Sequence, residues 1–149
     1  MFELISNSEE ETKKIAQKIA SQLKKGDVIV LTGDLGSGKT KFVEGILTYF
    51  GKEDEISSPT FTIVNEYEAK EKIFHFDVYR LDDVDEFYAI GGEEYFDKGI
   101  CLIEWGEIIE EVLPSKYLKI IFNRNHEDDT KRKMIFESHG NFEIFIWNY

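Results

Sequence analysis

The run Gly33-Asp34-Leu35-Gly36-Ser37-Gly38-Lys39-Thr40 constrains this chain more than any other stretch, because it fully matches glycine, four residues, glycine, lysine, then serine or threonine. Such a loop wraps a phosphate chain in backbone NH groups, and side chains at Gly33, Gly36 and Gly38 would block that approach. The pattern assigns roles: Lys39 reaches the β- and γ-phosphates, the Thr40 hydroxyl reaches Mg²⁺, and a helix opening at Thr40 turns its positive end to the anion. Glycine is common, so a random chain of this length shows the pattern with probability on the order of one in a hundred. Context strengthens it. The apolar, β-branched run Asp27-Val28-Ile29-Val30-Leu31-Thr32 precedes the loop, and a helix-like run over 39–50 follows it, ending at Gly51. Strand, glycine loop and helix stand in the order that a nucleotide hydrolase requires.

At 149 residues with 42% hydrophobic and 14% aromatic content, the expectation is one well-packed domain over residues 1–149 without a linker. No apolar run approaches the ~20 residues of a membrane helix. The first residues also lack a basic region followed by an apolar core, so the expected location is cytoplasmic, away from membranes. The one cysteine, Cys101, lies in the apolar run Ile100-Cys101-Leu102-Ile103 and reads as a buried thiol without chemistry. Eighteen basic against thirty acidic residues give a formal net charge of −12, which repels nucleic acid and points to protein partners rather than direct RNA binding.

Along the chain, Ser8-Glu9-Glu10-Glu11 fits a capping box opening an amphipathic helix over 9–24, stopped by Gly26. After the turn-like Ile56-Ser57-Ser58-Pro59-Thr60, the runs 61–67 and 73–79 read as strands joined by only five residues. So short a connection excludes a helical crossover and demands an antiparallel hairpin, so the sheet must be mixed. Residues 82–97 read as mostly helical, broken at Gly91-Gly92. The strand 100–103 delivers Glu104-Trp105 at its carboxyl end, a short helix follows over 107–113, and 117–122, 132–137 and 142–147 read as strands. The expected fold is α/β, a single-domain P-loop NTPase with a mixed parallel and antiparallel central sheet flanked by helices.

Hydrolysis needs an acid near the metal and a group that orients the attacking water. Asp77 and Glu104 each close an apolar strand, and ligands gather at strand carboxyl ends in such sheets. Either carboxylate alone could be a solvated strand terminus. Two of them beside a phosphate loop favour function.

Four blocks in order carry a close resemblance to the TsaE proteins, P-loop ATPases of tRNA threonylcarbamoyladenosine biosynthesis. They are Leu31 with Thr32 and the glycine loop, then Ser58-Pro59-Thr60-Phe61-Thr62, then His75-Phe76-Asp77-Val78-Tyr79-Arg80-Leu81, then Leu102-Ile103-Glu104-Trp105. The resemblance implies an ATPase that uses ATP and Mg²⁺ and supports the TsaB and TsaD proteins as they modify adenosine 37 of tRNA. It also implies that Thr40 and Glu104 hold Mg²⁺, Asp77 is the acid near the water, and Thr60 sits at a switch-like position near the γ-phosphate. Arg132 matches a family arginine beside the base, where a guanidinium can stack on adenine. Tyr79, Arg80 and Trp105 belong to the same signature, with packing and partner coupling both open as roles.

One position departs from the family. Lys41 stands where a second hydroxyl residue commonly follows the loop threonine, so its backbone NH is the group left to meet the α-phosphate. His75, two residues before Asp77 on the same strand face, either orients that acid or is a satisfied core histidine. There are three arginines, Arg80, Arg124 and Arg132, and none lies in the loop, so hydrolysis by the isolated chain should be slow and depend on partners. The competing functions are a small-molecule kinase and a nucleotide-gated assembly factor in which hydrolysis is dispensable. A GTPase is disfavoured, because there is no Asn-Lys-x-Asp stretch.

Overall fold

The run Val28–Gly33 is apolar at successive positions, so it needs cover on both faces and belongs inside a sheet. In the computed structural model, which describes residues 1–34, 36–56, 63–125, 127–128 and 130–145, it lies in the middle of a 7-stranded sheet. Numbered along the chain, the strands are β1 (Phe2–Ser6), β2 (Val28–Gly33), β3 (Val64–Glu68), β4 (Lys72–Asp77), β5 (Ile100–Glu104), β6 (Tyr117–Arg124) and β7 (Arg132–His139). Their order across the sheet is β1-β7-β6-β2-β5-β4-β3. Strand β2 runs parallel to β5 and β6, and β4 runs parallel to β5. The hairpin β3–β4 and the pairs β6–β7 and β1–β7 are antiparallel. The sheet is mixed, and residues 69–71 alone join β3 to β4, a connection too short for a helical crossover.

Helices α1 (Glu9–Ala20) and α2 (Lys39–Tyr49) cover one face, where Ile15, Ile19, Phe42 and Ile46 pack on Ile29, Leu31 and Ile120. The other face packs Val28, Val30, Phe74 and Phe76 against Phe87 of α3 (Val84–Ala89) and against Ile109. Because side chains alternate along a strand, this division assigns faces at the strand ends too. Ile73 joins the α1/α2 side, so His75 and Asp77 share it; Leu102 joins the same side, so Glu104 does as well. Both acids thereby face the side on which the glycine loop enters α2.

Several elements differ from the sequence reading, each for a local reason. Helix α1 ends at Ala20 rather than near residue 24, because Ser21 Oγ and the Gln22 side-chain amide both donate to Lys18 O, taking a carbonyl that a further turn would need. Ile63 adopts φ 67 and β3 spans Val64–Glu68, while residues 61–62 of the expected strand lie outside the described residues. The short helix after β5 is a 3₁₀ element, Gly106–Val112, kinked at Ile109. The run 142–147 forms no strand over its described residues 142–145. The free edge of β7 that it would occupy is taken by β1, a strand that its short, mixed sequence did not announce.

Candidate functional site

The glycine loop begins where β2 runs out. Gly33 has φ +136, and a Cβ there would lie 2.5 Å from Phe122 O and 2.9 Å from Ser37 Oγ, so no side chain fits. Ser37 N donates to Asp34 O at 3.1 Å to close the turn, and Phe42 N donates to Gly38 O at 3.0 Å as α2 starts. Gly38, with φ +111, caps α2 without a side-chain bond, and the first turn carries no acidic residue. A helix start with unclaimed NH groups and no local negative charge suits an anion. Beside it, Ser37 Oγ is buried with no hydrogen-bond partner among the described residues.

Lys39 is drawn back into this loop. Its Nζ donates to Gly33 O and, at 3.2 Å, to Asp34 O, and it stands 3.8 Å from the centre of the Trp105 ring. Burial lowers its pKa below the ordinary lysine value, with Glu104, Glu107, Asp34 and Asp77 pulling the other way through their negative charge. An ammonium held by two carbonyls and an aromatic face is charged, poorly hydrated and poised to exchange those weak partners for phosphate oxygens.

The two acids reach the loop through strand pairing. Asp77 and Glu104 are register partners across the parallel pair β4–β5, and Glu104 sits beside Leu31 of β2. Each is held by one donor. Tyr79 N donates to Asp77 Oδ1 at 3.1 Å, and His75 Nε2 donates to Glu104 Oε2 at 2.6 Å. His75 is thus neither an orienter of Asp77 nor a mere core histidine; it bonds the other acid, on the next strand. Trp105 follows Glu104 with φ 66, which turns the chain out of β5 and sets its ring 4.9 Å from that of Tyr79.

These groups surround a cavity of about 790 Å³. Such a volume is within the usual range for small-molecule sites. The inner wall is Gly36, Ser37, Gly38, Lys39, Thr40 and Lys41, with Asp77, Glu104 and Trp105 on one flank. The outer wall is Ser8, Glu9, Glu10 and Thr12 from the start of α1, with Thr130 and Arg132 from the β6–β7 connection. Arg132 Nη2 donates to Gly36 O at 3.2 Å, and Arg124 Nη1 lies 3.7 Å from where a Gly36 Cβ would be. Two of the three arginines therefore flank the loop, although neither is in it. Lys41 Nζ pairs with Glu44 at 3.4 Å and with Glu9 at 3.9 Å, tying α1 to α2 at the cavity edge.

The candidate residues Gly36, Ser37, Gly38, Lys39, Thr40, Lys41, Asp77, Glu104 and Arg132 thus share one cavity. Gly33 and Asp34 shape the loop from behind by their carbonyls, while Leu35 and Thr60 lie outside the described residues. The α1 wall escaped the sequence reading, because a capping box signals only a helix start. The bond from His75 to Glu104 had a partial signal, a polar residue in phase with Asp77 inside an apolar strand. Among the described residues no group of three or more His, Cys, Asp or Glu side chains forms a metal cluster, and no helix is long and apolar enough to cross a membrane.

A strand that passes through a glycine loop into a helix, at the centre of a mixed sheet with helices on its faces, defines the P-loop NTPase fold class. A family model described as "Threonylcarbamoyl adenosine biosynthesis protein TsaE" matches residues 6–134. The chain belongs to the TsaE family, whose members take part in tRNA threonylcarbamoyladenosine biosynthesis. Its relatives include the tRNA threonylcarbamoyladenosine biosynthesis protein TsaE of Bacillus subtilis (strain 168), 44% identical over 134 residues that cover 89% of this chain and 82% of that protein. The protein of the same name from Rickettsia conorii is 44% identical over 128 residues, covering 85% of this chain and 72% of the other. A crystal structure of Bacillus subtilis YdiB matches with a TM-score of 0.74 and 38% identity, covering 94% of this chain and 86% of that one.

Proposed function

We propose that the protein is an Mg²⁺-dependent ATPase of tRNA threonylcarbamoyladenosine biosynthesis that acts with the TsaB and TsaD proteins in the cytoplasm and meets tRNA only indirectly. The observation that carries this reading is the register pairing of Asp77 with Glu104 at the rim of the glycine-loop cavity. A loop that grips phosphate is common to many functions, whereas two strand-end acids facing it are what hydrolysis adds.

In this reading the triphosphate lies along the NH groups of residues 36–41. Lys39 leaves the carbonyls of Gly33 and Asp34 for the β- and γ-phosphates, and Arg132 borders the base. Thr40 and Glu104 are the side chains that would hold Mg²⁺, which when bound would supply neutralising charge to the triphosphate. Asp77, with Oδ1 engaged by Tyr79 N, accepts a hydrogen bond from the attacking water on Oδ2. The water oxygen bonds to the γ-phosphorus and the bridging bond breaks. The electron pair stays on ADP, and the water proton finishes on the released phosphate. Arg132 is placed at the base and Lys39 at the β- and γ-phosphates, and none of the three arginines lies in the loop, so the further cation for the transition state comes from a partner protein, which in related chemistry raises rates by ~10³ to 10⁵.

The test is a reconstituted mixture of tRNA, TsaB, TsaD, threonylcarbamoyl donor and ATP, with and without this chain. Mass analysis of the tRNA is expected to show sustained modification only with the chain present, and ATP hydrolysis to rise when TsaB and TsaD join it. Full modification by an Asp77→Ala variant that binds ATP without hydrolysing it would overturn the requirement for hydrolysis.

A further inference from the structure

We propose that His75 is a positioning residue for the metal: its Nε2–H holds one oxygen of Glu104, so that the other oxygen alone is presented to Mg²⁺. The proposal rests on the reading of Glu104 as a metal-holding side chain.

Three observations support it. First, the two groups come from adjacent strands and still meet at 2.6 Å, with His75 4% and Glu104 7% exposed. Water does not compete for a bond so deeply placed, and a buried carboxylate without a donor would be costly. Second, strand geometry leaves the contact little freedom. His75 is opposite Leu102 and Asp77 is opposite Glu104, so the imidazole stands one pleat behind the acid pair and approaches Glu104 from inside the sheet. Its hydrogen bond engages Oε2, which leaves Oε1 as the oxygen without that bond on a side chain that lines the cavity. Third, the other ring nitrogen, Nδ1, is buried and has no partner among the described residues. A buried ring whose second nitrogen meets no partner among the described residues packs less favourably than an isosteric apolar side chain would. What the ring does supply is one directed donor. Carboxylates that bind metal commonly need such a partner to hold their orientation, and its loss typically weakens metal affinity by ~10- to 100-fold.

The measurement is the affinity of a non-hydrolysable ATP analogue by calorimetry, with Mg²⁺ and with EDTA, and the ratio of the two dissociation constants is the metal coupling. It is compared for the wild type, Glu104→Gln, His75→Leu and His75→Gln; glutamine can extend an amide donor to about the position of Nε2. Expected is a coupling that falls ~10- to 100-fold in His75→Leu, is largely kept in His75→Gln, and collapses in Glu104→Gln. Affinity in EDTA should be unchanged by both His75 substitutions. If His75→Leu fails to fold, His75→Asn replaces it, since its shorter amide stops short of Oε2. Wild-type coupling in His75→Leu alongside lost coupling in Glu104→Gln would overturn the positioning role and leave Glu104 as a ligand. Wild-type coupling in Glu104→Gln would instead remove the metal reading beneath it. A parallel loss of affinity in EDTA would make His75 structural and also overturn the proposal.

Discussion

Gly45→Ala sets two effects against each other in the helix that carries the glycine loop. In an exposed helix the change stabilises by about 1 kcal/mol, because alanine loses less backbone entropy than glycine. Gly45 faces α1, where an added Cβ would lie 2.7 Å from both Ala16 Cβ and Lys13 O and 2.9 Å from Lys13 Cα. Two of these three atoms are backbone, so no rotamer change relieves them and α1 must back away. Carbon contacts settle at about 3.5 Å or more, and a gap of ~0.5 to 1 Å forfeits a quarter to a half of the dispersion attraction along the seam. Overpacking of this kind costs roughly 1 to 3 kcal/mol, and rigid backbone contacts put it at the upper end. The net is a destabilisation of about 1 to 2 kcal/mol, which for a domain of this size lowers Tm by ~2 to 8 °C. Differential scanning calorimetry measures it directly. Ser8 and Thr12 bring α1 to the cavity wall, so analogue affinity should fall with stability. Adding Ala16→Gly removes one of the three contacts, and the double variant should show a favourable coupling of ~0.5 kcal/mol or more. A Tm that rises by a few degrees, as propensity alone dictates, would refute the reasoning.

Two further outcomes follow from buried ionisable groups. Burial lowers the Lys39 pKa below the ordinary lysine value, so raising pH through that depressed value discharges the ammonium in the folded state, and analogue affinity should weaken over the window between the depressed value and the ordinary one. The folded state holds fewer protons on Lys39 than the unfolded chain across that window, so this group's contribution to stability moves the opposite way and improves with pH. Calorimetric titration across the range checks the affinity, and the same decline in Lys39→Arg, which stays charged, would rule out Lys39 as its source. Burial, with the Asp97 charge second, pushes the Cys101 thiol up to about 12. At about pH 8 its thiolate should be ~10⁴-fold scarcer than the thiol, so iodoacetamide should leave native Cys101 unmodified while labelling the urea-unfolded chain. Rapid native labelling would contradict the burial.

How much of this molecule can be read from its sequence depends on whether the groups that act together are also contiguous. The glycine loop is contiguous: a β-branched strand, three glycines and a helix start lie within 28–49, and local sterics alone require Gly33 to be glycine. Asp77 and Glu104 were legible one at a time, as polar ends of apolar runs, because burial on both faces leaves a strand nowhere to hold a carboxylate but its tip. Their meeting was not legible in that way, since it depends on β4 and β5 pairing in parallel with a register no local pattern states. A one-residue slip in that register would send Glu104 out of step with Asp77 and part it from His75, with no change in any segment's own preferences. The far wall of the cavity was the least legible, because Ser8, Thr12, Thr130 and Arg132 come from opposite ends of the chain. They converge only because β1 crosses to the free edge of β7, placing α1 over the loop. That crossing also explains why the described residues 142–145 form no strand, since the first strand fills the position beside β7. The phosphate end of the site is thus written locally, and its outer end depends on which strand closes the sheet.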